Sequence, residues 1–252
     1  MLPVLKIGPL AIQTPGLILL LGLWFGLLLS VKLARIEQKV DPNSIYNLAL
    51  TALISSIIGA RLFYAAQSPD LFIQQPLSLF SLNIVMLDLM GGLVTAGIVS
   101  LVFAQRQKLS LWPTLDALTP LFCVMAIAIG LSHFASGDAF GSPARLPWSV
   151  YLWGEYRHPT QLYETIWALI VAIMVWPRYR NDAVAGFRFL HFVVLISIGR
   201  IFLETFRGDS TMIFGLLREA QVIAWVALAG SLSLIGTRIK QIQAMSIVEE
   251  EK

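Results

Sequence analysis

Seven stretches of this chain run for about twenty residues with almost no charge, and nothing else in the sequence limits the fold so strongly. They cover 15 to 34, 46 to 66, 86 to 104, 112 to 134, 161 to 176, 187 to 206 and 217 to 236. A helix of about 20 apolar residues matches the hydrocarbon core of a bilayer, and it satisfies its own backbone groups where no water is present to do so. Of 252 residues 57% are hydrophobic and 13% charged, and the mean hydropathy is +0.75, too little polar surface for an ordinary soluble domain. The expected fold is therefore all-α: a polytopic membrane protein with about seven transmembrane helices, residues 1–240 forming a single transmembrane domain and 241–252 a short, disordered cytoplasmic tail. The fifth run is the shortest. The first follows a single cation, Lys6, and leads into "VKLARIEQK" rather than a small-residue cleavage site, so it reads as a retained span.

The distribution of Lys and Arg orients the bundle. With seven spans, one set of loops holds Lys32, Arg35, Lys39, Arg106, Lys108, Arg178, Arg180, Arg188, Arg238, Lys240 and Lys252, and the other holds Lys6, Arg145, Arg157, Arg207 and Arg218. Eleven against five places the C-terminus in the cytoplasm and the N-terminus outside. The lipid bilayer is the expected partner; nucleic acid is not implied by a pI near 9.1, because the positive charge follows topology. Cys123 is the single cysteine and lies inside a span, which excludes an intramolecular disulfide and reads as a buried inert thiol.

On this topology, polar side chains gather at the outer ends of several helices, toward one chamber. Arg61, Asp88 with "MGGL" (Gly91 and Gly92), His133, "RHPTQLYE" (157 to 164), Arg200, Glu204, Arg207, Glu219 and Gln221 all fall there. An ionisable group in a bilayer costs about 2.5 to 3.5 kcal/mol on insertion scales and is kept for pairing or function. In "GRIFLETFRGD" the spacing of Arg200, Glu204 and Arg207, four and then three, puts them on one stripe of a helix. Two readings stand side by side: an intrahelical ladder that quenches charge, or an arginine held within the bundle to grip an anion, a phosphate fitting the guanidinium fork. "RHPTQLYE" likewise serves either as helix-start chemistry, with Pro159 in the first turn and Glu164 near a helix N-terminus, or as part of a site with Gln161 and Tyr163. The glycines of "GLSHFASGDAFGSP" punctuate a loop or let backbone approach a ligand, and His133 at its head could titrate near neutral pH.

These segments, in order, resemble the prolipoprotein diacylglyceryl transferase family of bacterial plasma-membrane enzymes. The resemblance runs through "IGPLAI", "GARLFY", "GGL" (91 to 93), "LDALTP", "SGDAFG" (136 to 141) with "LPWSV", "HPTQLYE" and "GRIFLETFRGD". It implies a multi-pass protein of the bacterial inner membrane that moves the diacylglyceryl group of phosphatidylglycerol onto the thiol of a prolipoprotein lipobox cysteine, releasing glycerol phosphate, with no cofactor and no metal. Arg200 would grip the phosphate with Glu204 and Arg207 in support. Gly137, Asp138 and Gly141 would shape the glycine loop, and Gln161, Tyr163 and Glu164 would complete the wall, with Arg61, Gly91, Gly92 and Gln221 among the substrate-binding residues. The chain departs from the family where Met90 replaces a His, where no Arg stands near Gly130 or Leu131, where His133 and Ser136 replace Asn and Asp138 replaces Glu, and where Pro15 and Ile196 replace Tyr. Two readings accommodate this. Either His133 or His158 serves as a relocated base, or the chain is a catalytically impaired relative that binds phospholipid as a membrane subunit of a larger complex.

Overall fold

The computed structural model describes residues 4–7, 10–75, 77–78, 86–176 and 184–250. After a hairpin of β1 (Val4–Ile7) and β2 (Leu10–Gln13), the chain is built from α1 (Thr14–Glu37), α2 (Pro42–Gln67), the short α3 (Pro69–Gln74), α4 (Leu89–Arg106), α5 (Leu111–Ser136), α6 (Thr160–Val175), α7 (Phe187–Leu203) and α8 (Glu219–Glu250). Six of these helices are long and apolar enough to cross a membrane: α1, α2, α4, α5, α7 extended by a 3-10 turn to Phe206, and α8 as far as Lys240. The seventh, α6, has 16 residues and is the run expected to be short. The protein is thus a mainly helical, multi-pass membrane protein, as the apolar runs predict. Arg178 and Arg180, Lys252 and the stretch 79–85 of the loop after α2 lie outside the described residues.

Two differences from the sequence-based expectation have simple causes. The loops carry short antiparallel hairpins, β3 (Val150–Leu152) with β4 (Glu155–Arg157) and β5 (Met212–Ile213) with β6 (Leu217–Arg218), too brief to show as alternating runs. The tail expected to be disordered is helix as far as Glu250, because "QIQAMSIVEE" is rich in helix-favouring residues and α8 has already nucleated it.

The chain divides into two compact units, Met1–Ser30 with Leu118–Lys252, and Val31–Ala117. In the first, α1 crosses α5 through a Gly-x3-Gly stripe: a Cβ on Gly22 would come within 2.5 Å of Ala128 Cβ, and one on Gly26 within 2.9 Å of Leu121 Cδ1. Lipid offers no hydrophobic drive for helices to associate, so small residues that let backbones approach supply the packing. Pro120 lies inside α5 near where the two meet, and the buried Ser30 hydroxyl accepts the backbone N–H of Leu121, the residue after the proline, at 3.1 Å. Farther along, α6 packs on α7, and α7 on α8. In the second unit α2 lies along α4, with Gly59 against Thr95, Gly91 against Phe63 and Gly92 against the backbone of Ser56. Asp88 caps α4 through Gly91 N–H and accepts from Gln67 Nε2 at 3.2 Å.

Candidate functional site

The densest set of charges among the described residues lies at one end of the first unit, where α6 begins and α7 ends. Arg200 Nη1 is 2.7 Å from Glu164 Oε1 on α6, and Nη2 is 3.1 Å from Glu204 Oε2, one turn farther on. Arg207 adds longer contacts to the same carboxylates, 3.5 Å to Glu164 and 4.0 Å to Glu204, and makes a bidentate fork with Asp209 at 2.9 and 3.0 Å. Glu204 is 2% exposed at its side chain. Its Oε1 accepts from Ser210 at 2.7 Å, while Oε2 meets Arg200 as an ion pair off the hydrogen-bond direction. Arg218, from β6, closes the cluster by donating Nη1–H groups to the carbonyls of Glu204 and Arg207 and to Ser210 Oγ.

Three arginines (Arg200, Arg207, Arg218) face three carboxylates (Glu164, Glu204, Asp209), so the cluster is neutral. Neutrality is what permits it near lipid, since a buried charge persists only when paired. Burial of Arg207 would lower its proton affinity. The hydrogen bond to Asp209 and the charges of Glu164, Asp209 and Glu204 outweigh that effect and hold the guanidinium above its ordinary value. Arg200 is the member with reach to spare. Its side chain is one-third exposed, and its two ion pairs engage only two of its five N–H donors. With Glu164 it forms the polar part of a 180 Å³ cavity between α5, α6 and α7 whose other walls are apolar, Ile129, Trp167 and Ile196 among them.

His133, at the end of α5, faces the second oxygen of Glu164 at 3.8 Å, and its Nδ1 has no hydrogen-bond partner. His158 is placed differently. Its Nδ1 lies 3.4 Å from the Tyr163 hydroxyl, its ring packs 5.2 Å from that of Phe206, and the Tyr163 hydroxyl also accepts from Trp148 Nε1 at 2.8 Å. Tyr163 and His158 therefore belong to an aromatic cluster beside the charges, with no ion pair to them among the described contacts.

The glycine loop is locked to the end of α7 by backbone pairing. Gly141 bridges to Arg207, Ser142 N–H donates to Phe206 O at 2.8 Å, and Gly208 N–H donates to Phe140 O at 2.9 Å. Gly141 has no room for a side chain because His158 backbone lies against it, and Gly137 turns the chain at φ 87°. Gln161 donates to Asp138 O at 2.8 Å, and Thr160 to Ala139 O at 2.6 Å, so the start of α6 grips the loop by its main chain. The Asp138 side chain is exposed. Gln221 donates to Ile201 O at 2.9 Å and ties α8 to α7.

Of the residues expected from sequence, Arg200, Glu204, Glu164, Arg207 and His133 come together, Gly137, Gly141 and Gln161 build the supporting loop, and Gln221 braces α7. Arg61, Gly91 and Gly92 lie in the second unit. There the two glycines are buried against α2. Asp209, Ser210 and Arg218 complete the cluster beyond that expectation. For Asp209 the signal was present in "FRGD", two residues from Arg207.

Gly130 explains one departure noted above. A Cβ there would run into Thr165 of α6, so the position holds glycine for packing and has no space for a longer side chain.

The family model described as prolipoprotein diacylglyceryl transferase matches residues 3–237. Among similar proteins named phosphatidylglycerol–prolipoprotein diacylglyceryl transferase, one from Synechococcus elongatus is 33% identical over 248 residues, 91% of this chain and 85% of its own. Another from Thermosynechococcus vestitus is 31% identical over 245 residues, 89% of this chain and 88% of its own. A third from Streptococcus pneumoniae is 29% identical over 262 residues, 98% of each chain.

Proposed function

The chain belongs to the prolipoprotein diacylglyceryl transferase family, and we propose that it moves the diacylglyceryl group of phosphatidylglycerol onto the thiol of a lipobox cysteine at the outer face of a bacterial plasma membrane. The observation that carries this reading is Arg200, partly exposed beside Glu164 in a cavity whose other walls are apolar, and held by two carboxylates that leave it donors to spare. At 180 Å³ the cavity suits a headgroup rather than a whole lipid, and acyl chains would leave past the exposed Ile129 into the bilayer.

Reaction requires the thiol to lose its proton, the sulfur to attack the glyceryl carbon, and the carbon–oxygen bond to the phosphate to break, so that glycerol phosphate departs with the electron pair. Arg200 stabilises charge on the departing phosphate, and its fork is fixed beforehand by Glu164 and Glu204, as a group acting on developing charge must be. The free thiol, with a pKa near 8.5, needs a base. His133 suits that task better than His158: its Nδ1 makes no hydrogen bond and lies 3.8 Å from the Glu164 carboxylate, whereas His158 is packed among Tyr163 and Phe206. The orientation with the C-terminus in the cytoplasm belongs to the same reading, since it puts the cluster on the side where lipoprotein precursors emerge.

The test is transfer itself. Purified protein in vesicles containing phosphatidylglycerol should attach a diacylglyceryl group to a lipobox-cysteine peptide, with glycerol phosphate released in equal amount. A chain that leaves the peptide unmodified, in vesicles where a relative from Streptococcus pneumoniae modifies it, is not a transferase.

A further inference from the structure

We propose that the tips of the β3–β4 and β5–β6 hairpins are aromatic wedges seated in the lipid interface on the side of the charge cluster. The two turns share an unusual build. Trp153-Gly154 and Phe214-Gly215 each place both residues at positive φ, 55° and 84° in the first and 51° and 69° in the second. Such turns favour Asn-Gly or Asp-Gly, and a bulky residue with positive φ is an outlier that needs a reason.

Apart from one hydrogen bond from Trp153, neither turn finds that reason among the described contacts of the chain. A Cβ on Gly154 or Gly215 would meet nothing within 4 Å, Phe214 is 95% exposed and Leu216 84%. Trp153 is 66% exposed, and its one polar group already donates to Gly137 O, so the ring makes no demand for water. Tyr151 and Tyr156, stacked edge to face beside it, are also exposed.

The roots of the hairpins say what covers these tips. Arg218 ends β6 and Glu219 begins the membrane-spanning α8, with no spacer, and only two residues separate β4 from α6. Gly215 is therefore four residues from a span, roughly 13 Å of extended chain at most, and the backbone pairing of Gly141 with Arg207 holds the loops of both hairpins at the same end of the bundle. The apolar tips thus stand within a few residues of membrane-spanning helices, at the level where Trp and Tyr settle among the headgroups. Lipid interface, rather than peptide, is the occupant this adjacency favours.

Position can be read directly, whether or not the chain transfers lipid. Phe214→Cys, Leu216→Cys and Tyr151→Cys, each in a Cys123→Ala background, are labelled with an environment-sensitive fluorophore in vesicles of phosphatidylglycerol and phosphatidylethanolamine. The proposal expects blue-shifted emission at all three sites, quenching by lipids with a spin label high on the acyl chain, and little quenching by aqueous iodide, with or without lipobox peptide. Water-like emission quenched by iodide overturns it. So does protection that appears only when the peptide is added, which would make the tips a peptide-docking surface. Phe214→Asn, the residue the turn prefers, serves as the second variant: it should fold at least as well and leave a label at Leu216→Cys more accessible to iodide, and unchanged accessibility also counts against the wedge.

Discussion

Arg200 holds two carboxylates at once, and the stronger contact is to Glu164 across the helix interface rather than to Glu204 on its own stripe. Spacing along one helix can announce an i,i+4 pair, and it did for Glu204. It is silent about a partner 36 residues away, which only the packing of α6 on α7 supplies. Arg218 was legible in sequence only as an interfacial cation, although it pins the turn that carries Glu204 and Arg207. Arg218→Ala removes hydrogen bonds from a charged donor, each worth about 1.5 to 3 kcal/mol. Its thermal midpoint should fall, and transfer should fall with it, partly rescued by Arg218→Lys. At the same scale, His133→Ala should suppress transfer at neutral pH and recover some of it as the pH approaches the thiol's own range, because ionisation of the substrate then replaces the base. His158→Ala should keep the wild-type pH profile. The assignment of the base reverses if the two profiles exchange.

Elements were the most legible level. Each apolar run became a helix, all but the last within a few residues of its expected limits and α8 running on to Glu250, since desolvation of the backbone leaves a spanning segment no other choice. The hairpins escaped notice because Trp-Gly and Phe-Gly are not the turn signals that hairpins ordinarily carry. The glycines of "GLSHFASGDAFGSP" were legible as special without showing why: Gly130 marks a helix crossing and Gly141 a backbone contact at the site, whereas Gly22 and Gly26 gave no signal within their apolar run. Gly130→Val should therefore behave as overpacking between α5 and α6, destabilising by about 1 to 3 kcal/mol without changing the pH profile of whatever transfer survives. Ser30→Ala should cost about 0.5 to 1.5 kcal/mol by removing a buried hydrogen bond between α1 and α5. Thermal midpoints of the purified proteins in one detergent check both, and wild-type midpoints would show that these crossings tolerate what the packing forbids.

For the whole molecule, the proposed anion site rests on a cluster of three arginines and three carboxylates in which Arg200 is the arginine that also lines the cavity between α5, α6 and α7. The proposal that this guanidinium binds the lipid phosphate draws on the cavity it lines and on the two carboxylates that hold it. The most direct measurement is the phosphatidylglycerol retained by wild-type, Arg200→Lys and Arg207→Lys proteins purified from the same membranes, read by mass spectrometry with thermal midpoints taken alongside. Arg200→Lys keeps the charge but loses the fork, so retention should drop about tenfold, the equivalent of one charge-assisted hydrogen bond, while Arg207→Lys stays near wild type. Equal retention by the Arg200→Lys and wild-type proteins, at equal stability, would contradict the account.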